Sequence, residues 1–270
     1  MKNLPNTAAL AKALGFTALL LFAYARIGVC AETSLPNAQD MIAAADKVRN
    51  PAQPFKALDT LTDYINGEPQ DTLTLSNYAK MNVATGQYRN LVRYVAPLRD
   101  AGKLVLLDGS QMWFYDPDSK ASVRLSPQQR LLGQAANGDV VSVNLARDYK
   151  GTTVGNETLQ DADHQPRDCV HLSLVASTPE AVYNRIEYWI ERATYYPVKA
   201  KYFSDSGRLL KTAYFTRYQD VLGGKRPTKV IILDGIDPHL ATTMEFSHYS
   251  DVDVPDAWFQ RDFLSQFKGG

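Results

Sequence analysis

The chain has 270 residues, and its 29 Lys+Arg against 29 Asp+Glu leave no formal net charge, with 45% of residues hydrophobic. That balance argues against a nucleic-acid binder or a polybasic membrane-surface protein, both of which need a basic excess to neutralise phosphates. Two cysteines are too few for a disulfide framework, so the fold is expected to rest on its core alone.

Lys2 and Lys12 accompany the apolar run Leu14–Ala25, and Val29 and Ala31 place small residues at the −3 and −1 positions of a cleavage site before Glu32. The pattern predicts a secretory signal peptide over residues 1–31. The run is too short to span a hydrocarbon core of about 30 Å. Val29 is a poor fit to a lipobox, so Cys30 is expected to leave with the leader unacylated. Cleavage removes Lys2, Lys12 and Arg26 and no acidic residue, which leaves residues 32–270 slightly acidic, with Cys169 as the one thiol. The expectation is a single exported domain.

Asn37 can cap a short helix whose Met41, Ile42, Ala45 and Val48 form one stripe ending before Pro51. Strands dominate after it. Phe55–Ile65, the pair Asn66-Gly67 and Thr72–Val83 read as a long hairpin with Leu73, Leu75, Ala79, Met81 and Val83 on one face. Gln87–Val95 follows, then a meander over residues 103–125. There Asp108-Gly109 as a two-residue loop pairs Leu107 with Ser110 and Val105 with Met112, and a four-residue second loop pairs Phe114 with Ala121 and Met112 with Val123. Alternation then puts Val105, Leu107, Met112, Phe114, Ala121, Val123 and Leu125 on a dry face. The opposite face, with Leu104, Leu106, Trp113 and Tyr115 among polar residues, is amphipathic.

The pattern breaks from Ser126 to Tyr149, a stretch that contains a helical piece over Pro127–Gln134. Strands resume from Arg167 to Tyr249, and a closing helix is expected over Pro255–Phe267. About eleven strands in hairpin order point to a mainly β fold, an incomplete antiparallel β-barrel with helices capping its open, concave side. Apolar surface that the helices leave unfilled becomes a cavity.

The segments "GSQMWFYDPDSKASVRL" (109–125), "SPQQRLLGQAANGDVVSVNLARDY" (126–149), "YYPVKAKYFSDSGRLLKTAYF" (195–215) and "TTMEFSHYSDVDVPDAWF" (242–259) together resemble the LolA-like outer-membrane lipoprotein-sorting family, over most of Phe55–Phe263. The R-L-x-G-Q-A and G-D-V segments mark a broad branch of it. The resemblance implies a monomeric periplasmic carrier that shields acyl chains of lipids or lipoproteins. It also implies an inner-membrane donor and an outer-membrane acceptor protein. A sensing or adaptor domain working with a membrane partner is the alternative.

No nucleophile elbow, P-loop or H-E-x-x-H motif occurs, and Gly223-Gly224 reads as a turn. Cys169 and His171 share a strand face without a third partner, so neither a metal, a cofactor nor a catalytic group is expected. Arg130 is expected to bridge to Asp139 or Asp148 and pin the 126–149 stretch. The ligand-binding candidates are the concave residues Val105, Leu107, Met112, Phe114, Val123 and Leu125, with Met244 and Phe246 from the last strand and Leu131 and Leu132 as a gate.

Overall fold

The computed structural model describes residues 37–269; the signal-peptide expectation falls outside them. Asn37 caps the first helix as its side-chain oxygen accepts the Asp40 N–H at 2.9 Å, and α1 runs over Ala38–Arg49. Its apolar stripe, Met41, Ile42 and Ala45, is fully buried against the sheet. Arg226 holds the other end, donating from Nη1 to the carbonyls of Lys47 and Val48 at 2.8 and 3.0 Å. A guanidinium suits the negative end of a helix dipole.

The strands are β1 (Phe55–Ile65), β2 (Glu68–Asn82), β3 (Gln87–Ala96), β4 (Leu104–Asp108), β5 (Gln111–Asp116), β6 (Ala121–Leu125), β7 (Arg130–Leu132), β8 (Ala135–Ala136), β9 (Tyr149–Gln160), β10 (Pro166–Ala176), β11 (Arg185–Glu191), β12 (Pro197–Phe203), β13 (Leu209–Val221), β14 (Gly224–Asp234) and β15 (Leu240–Asp251), with a one-turn helix α2 at Leu145–Asp148. Thirteen of them form one antiparallel sheet in the order β6-β5-β4-β3-β2-β1-β15-β14-β13-β12-β11-β10-β9. The sheet is open, with β6 and β9 as its edges. It is mainly β as the sequence implies, but with thirteen strands where the pattern suggested about eleven. The strand that the pattern missed outright is β9, whose Thr- and Gly-rich sequence is mostly exposed and shows no apolar alternation.

The order divides the chain into two meandering wings, β1–β6 and β9–β15, joined along one seam where Phe55 pairs with Asp251 and Leu61 with Met244. The residues between the edges, 126–148, therefore have to cross the open mouth of the sheet. This strap is not the predicted helix: Arg130–Leu132 and Ala135–Ala136 form a small separate hairpin. Gly133 lies at its tip with φ +51°, and a Cβ there would overlap the Asp63 carboxylate and the Thr242 hydroxyl, so only glycine fits.

Both meander turns sit one residue later than the pattern suggests. Asp108 pairs with Gln111 around Gly109-Ser110, Leu107 with Met112, and Phe114 with Val123. Moving a turn centre by one residue shifts each pairing by two, so every side chain keeps its face. Asn66-Gly67 does close the first hairpin, with both φ angles positive.

The second face of the meander is amphipathic, with Gln111, Lys120 and Arg124 exposed, but its apolar half is covered. Leu104, Leu106 and Tyr115 are buried with Tyr78 and Leu91 under Val254, Phe259 and Leu264 of the chain end. That end is two short 3₁₀ segments, Asp256–Phe259 and Arg261–Gln266, on the outer surface, so it does not cap the concave side. Asp256 anchors it to Lys80 and Arg89 at 2.8 and 2.7 Å, and the Arg261 guanidinium lies 4.4 Å from the Trp113 ring centroid. Among the described residues, no helix is long and apolar enough to cross a membrane.

Candidate functional site

The concave face is lined by alternate residues of successive strands: Phe55, Ala57 and Leu61 of β1, Leu73 and Leu75 of β2, Ala213 of β13, Val230 and Ile232 of β14 and Met244 of β15 are all buried. Several positions on the same face or its rim are polar: Asp59, Asn77, Gln87, Asn90, Lys211 and Thr242 are each at most 5% exposed. Most of these have a common cause. The strap is irregular, so its N–H and C=O groups find no ladder and must be satisfied by side chains.

Asn90 acts as a strand would, donating to the Ser142 carbonyl at 3.0 Å and accepting from its N–H at 2.8 Å. Asn77 Nδ2 donates to the Val140 carbonyl at 2.8 Å, Gln87 Oε1 accepts the Asn144 N–H at 2.8 Å, and Thr242 Oγ1 accepts the Gln134 N–H at 2.7 Å. From α1, Asp46 Oδ2 accepts the Ala146 N–H at 2.8 Å and Asn50 donates to the Val143 carbonyl at 3.0 Å. Burial pushes the Asp46 carboxyl up to about 6 despite Arg49 beside it.

One ion pair reinforces these bonds. Asp139 of the strap receives the Lys211 ammonium and the Ala136 N–H on Oδ2 and the Tyr183 hydroxyl on Oδ1 at 2.8 Å. The ammonium also lies 4.8 Å from the Tyr183 ring centroid and 5.5 Å from that of Tyr202. Burial lowers the Lys211 pKa, opposed by Asp139, and burial together with Asp139 raises the Tyr183 phenol. Arg130 is exposed and Asp148 pairs with Arg147, so the anticipated Arg130 bridge is replaced by Lys211, from a different strand.

Beneath the strap, a cavity of about 140 Å³ opens between the sheet, the end of α1 and residues 138–149. Apolar walls come from Ala57, Ala213, Phe215, Val230, Ile232 and Phe246, while Asp59, Asn77, Asp139 and Lys211 supply polar atoms. Burial pushes the Asp59 carboxyl up to about 7, opposed only by its contact with Asn77.

The candidate residues divide between this cavity and a packed region beside it. Met244 and Phe246 line the cavity. Val105, Leu107, Met112, Phe114, Leu125, Leu131 and Leu132 belong to, or pack on, a cluster with Leu61, Leu75, Val92 and Val141, to which Met244 and Phe246 also contribute. Leu131 and Leu132 thus fill the concavity at the β1–β6 wing. Val123 stands apart: it pairs with Phe114 on the edge strand β6 and is 50% exposed because no strand lies beyond it. Asp59, Asn77, Asp139 and Lys211 were missed as a group. Their signal was present in the alternation, since Phe55, Ala57, Asp59 and Leu61, and Leu73, Leu75, Asn77 and Ala79, are apolar rows each broken by one polar residue.

Away from the cavity, Cys169 is buried beside Trp189 and Val198, its thiol pushed up to about 12 by burial. His171 stacks on Trp189 with centroids 4.3 Å apart and bonds Glu187 at 2.6 Å. Among the described residues, no group of three or more His, Cys, Asp or Glu is arranged to hold a metal ion.

The fold is shared with proteins of known structure. A LolA superfamily protein from Nitrosomonas europaea is 28% identical, with a TM-score of 0.75 over 84% of this chain and 99% of that one. A DUF1329 family protein from Desulfovibrio piger is 22% identical, with a TM-score of 0.69 over 84% of this chain and 97% of that one. A domain assigned as an outer membrane lipoprotein-sorting protein from Vibrio parahaemolyticus is 16% identical, with a TM-score of 0.71 over 84% and 98%. No curated protein matches the sequence. A DUF1329-like family model, described as uncharacterized protein, matches residues 86–266, more than half of the chain. With thirteen strands in an open sheet, a strap across its mouth and a family model matched over more than half of its length, the chain belongs to the DUF1329-like family, and it shares its fold with a LolA superfamily protein.

Proposed function

We propose that the protein is a periplasmic carrier that binds acyl chains of lipids or lipoproteins on its concave face and ferries them toward the outer membrane, between an inner-membrane donor and an outer-membrane acceptor. The observation that carries this reading is the apolar concave face roofed by a strap that no backbone ladder joins to the sheet. Such a roof can lift without unzipping strands. The roughly 140 Å³ beneath it has room for about five water molecules, less than the roughly 300 Å³ at which ligand pockets usually begin. Full loading therefore needs Leu131, Leu132 and their neighbours to move off Val105, Leu107, Met112, Phe114 and Leu125.

The energetics suit such a role. Each buried methylene is worth about 0.8 kcal/mol, so a dozen outweigh an association cost of several kcal/mol. No catalytic group is required. The test is uptake of a fluorescent fatty-acyl probe by delipidated protein, with native mass spectrometry of the purified protein for co-purifying lipid. Saturable uptake supports the carrier. A protein that takes up no probe and carries no lipid would reduce the concavity to a packed core.

A further inference from the structure

Of the inward polar groups, Asp59 alone serves no part of the strap. It is 1% exposed, and its one hydrogen-bond contact among the described residues is the Asn77 amide at a long 3.5 Å. Neither cation on the cavity wall compensates it, because Lys211 is held by Asp139, while Arg49 contacts Asp46 and the Val143 carbonyl. Asn77 is 5% exposed, and its strong bond to Val140 fixes the amide so that Oδ1 is the acceptor; that Oδ1 has no partner. Both residues line the cavity. A buried carboxylate and a buried carbonyl oxygen, left as acceptors on a cavity wall, are costly unless a donor meets them.

We propose that Asp59 and Asn77 form a polar subsite on the cavity wall that receives an uncharged or cationic hydrogen-bond donor, a hydroxyl or an amine, on an otherwise apolar molecule. The subsite discriminates against a free carboxylate head, which brings a second negative charge and no donor. This inference rests on the carrier reading and names the head-group chemistry of its cargo.

Four probes of equal chain length, dodecanol, dodecylamine, dodecanoate and methyl dodecanoate, are compared at pH 8 by displacement of an environment-sensitive apolar fluorophore from delipidated protein. Dodecanol or dodecylamine is expected to bind about tenfold tighter than methyl dodecanoate, the size of one hydrogen bond to a charged acceptor, and dodecanoate weakest. Which of the two leads separates a hydroxyl from an amine cargo. In Asp59→Leu the preference over the ester is expected to vanish; Asp59→Asn, which keeps one acceptor, serves should the leucine variant misfold, and is expected to show a reduced preference. Equal binding of alcohol, amine and ester by the wild type, or a preference that persists in both variants, overturns the subsite and leaves the carrier reading standing. Failure of all four to displace the fluorophore overturns the carrier reading itself.

Discussion

Lys211 and Asp139 illustrate how much one buried pair can govern. A paired buried charge contributes little net stability over an apolar substitute, but removing one partner strands the other. Lys211→Met is therefore expected to cost about 3–5 kcal/mol, and Lys211→Met combined with Asp139→Asn to recover much of it; denaturant unfolding of the set measures both. Asp59 acts in the opposite sense. Its carboxyl is pushed up to about 7 in the folded chain, against about 3.9 when unfolded. Between those values the native state binds more protons than the unfolded one, so this group lowers stability as pH rises from about 4 to about 7. Asp59→Asn is accordingly expected to raise Tm over the wild type at pH 8 and to change it little at pH 4. A Tm difference that does not grow with pH would place the proton elsewhere.

Elements were legible where burial is one-sided and obscure where it is not. The α1 cap and stripe, the Asn66-Gly67 hairpin and the faces of β4–β6 follow from spacing alone, and the faces survived turns misplaced by one residue because the side-chain period is two. The strap was misread because Gln128, Gln129, Arg130, Leu131 and Leu132 are all good helix formers, whereas their conformation is set by Gly133 and by docking on Thr242 and Asp63. Asn77 sits in an inward apolar row that alternation does mark, but nothing local says that its amide, or that of Asn90, bonds the backbone of a distant strap. Gly133→Ala is expected to lift the strap tip, giving earlier cleavage in limited proteolysis within residues 126–148 while the sheet persists. Leu131→Trp is expected to lower uptake of the acyl probe and, because Leu131 packs on a filled cluster, to cost about 1–3 kcal/mol of stability. On the outer face, Phe259→Ala is expected to cost about 3–5 kcal/mol, and Tyr115→Asp to be as damaging as Phe114→Asp, since Leu104, Leu106 and Tyr115 are roofed by the chain end.

At the scale of the molecule, the strap is the covalent link between the two edge strands and not a free flap. It is tied to β6 at one end and to β9 at the other, so it can rise only as far as the edges allow. Opening and a change in the curvature of the sheet are one motion. The wing with β9–β15 carries α1, the cavity spans the β1–β15 seam with walls from both wings, and the wing with β1–β6 carries the packed region under Leu131 and Leu132. Cargo entering the cavity has its room to grow in that direction. The seam between the wings has a kinetic meaning as well. Within each wing every strand pairs with its sequence neighbour, so loop-closure entropy is small and pairing local. The β1–β15 pairing, which joins Phe55 to Asp251, brings together opposite ends of the described chain. Its formation is expected to be the late step of refolding, after both meanders exist, and to set the rate. Pulse-labelling hydrogen exchange would then show amides of β1 and β15 protected last, and a substitution in the seam such as Leu61→Ala would slow refolding more than an equally destabilising one inside either wing.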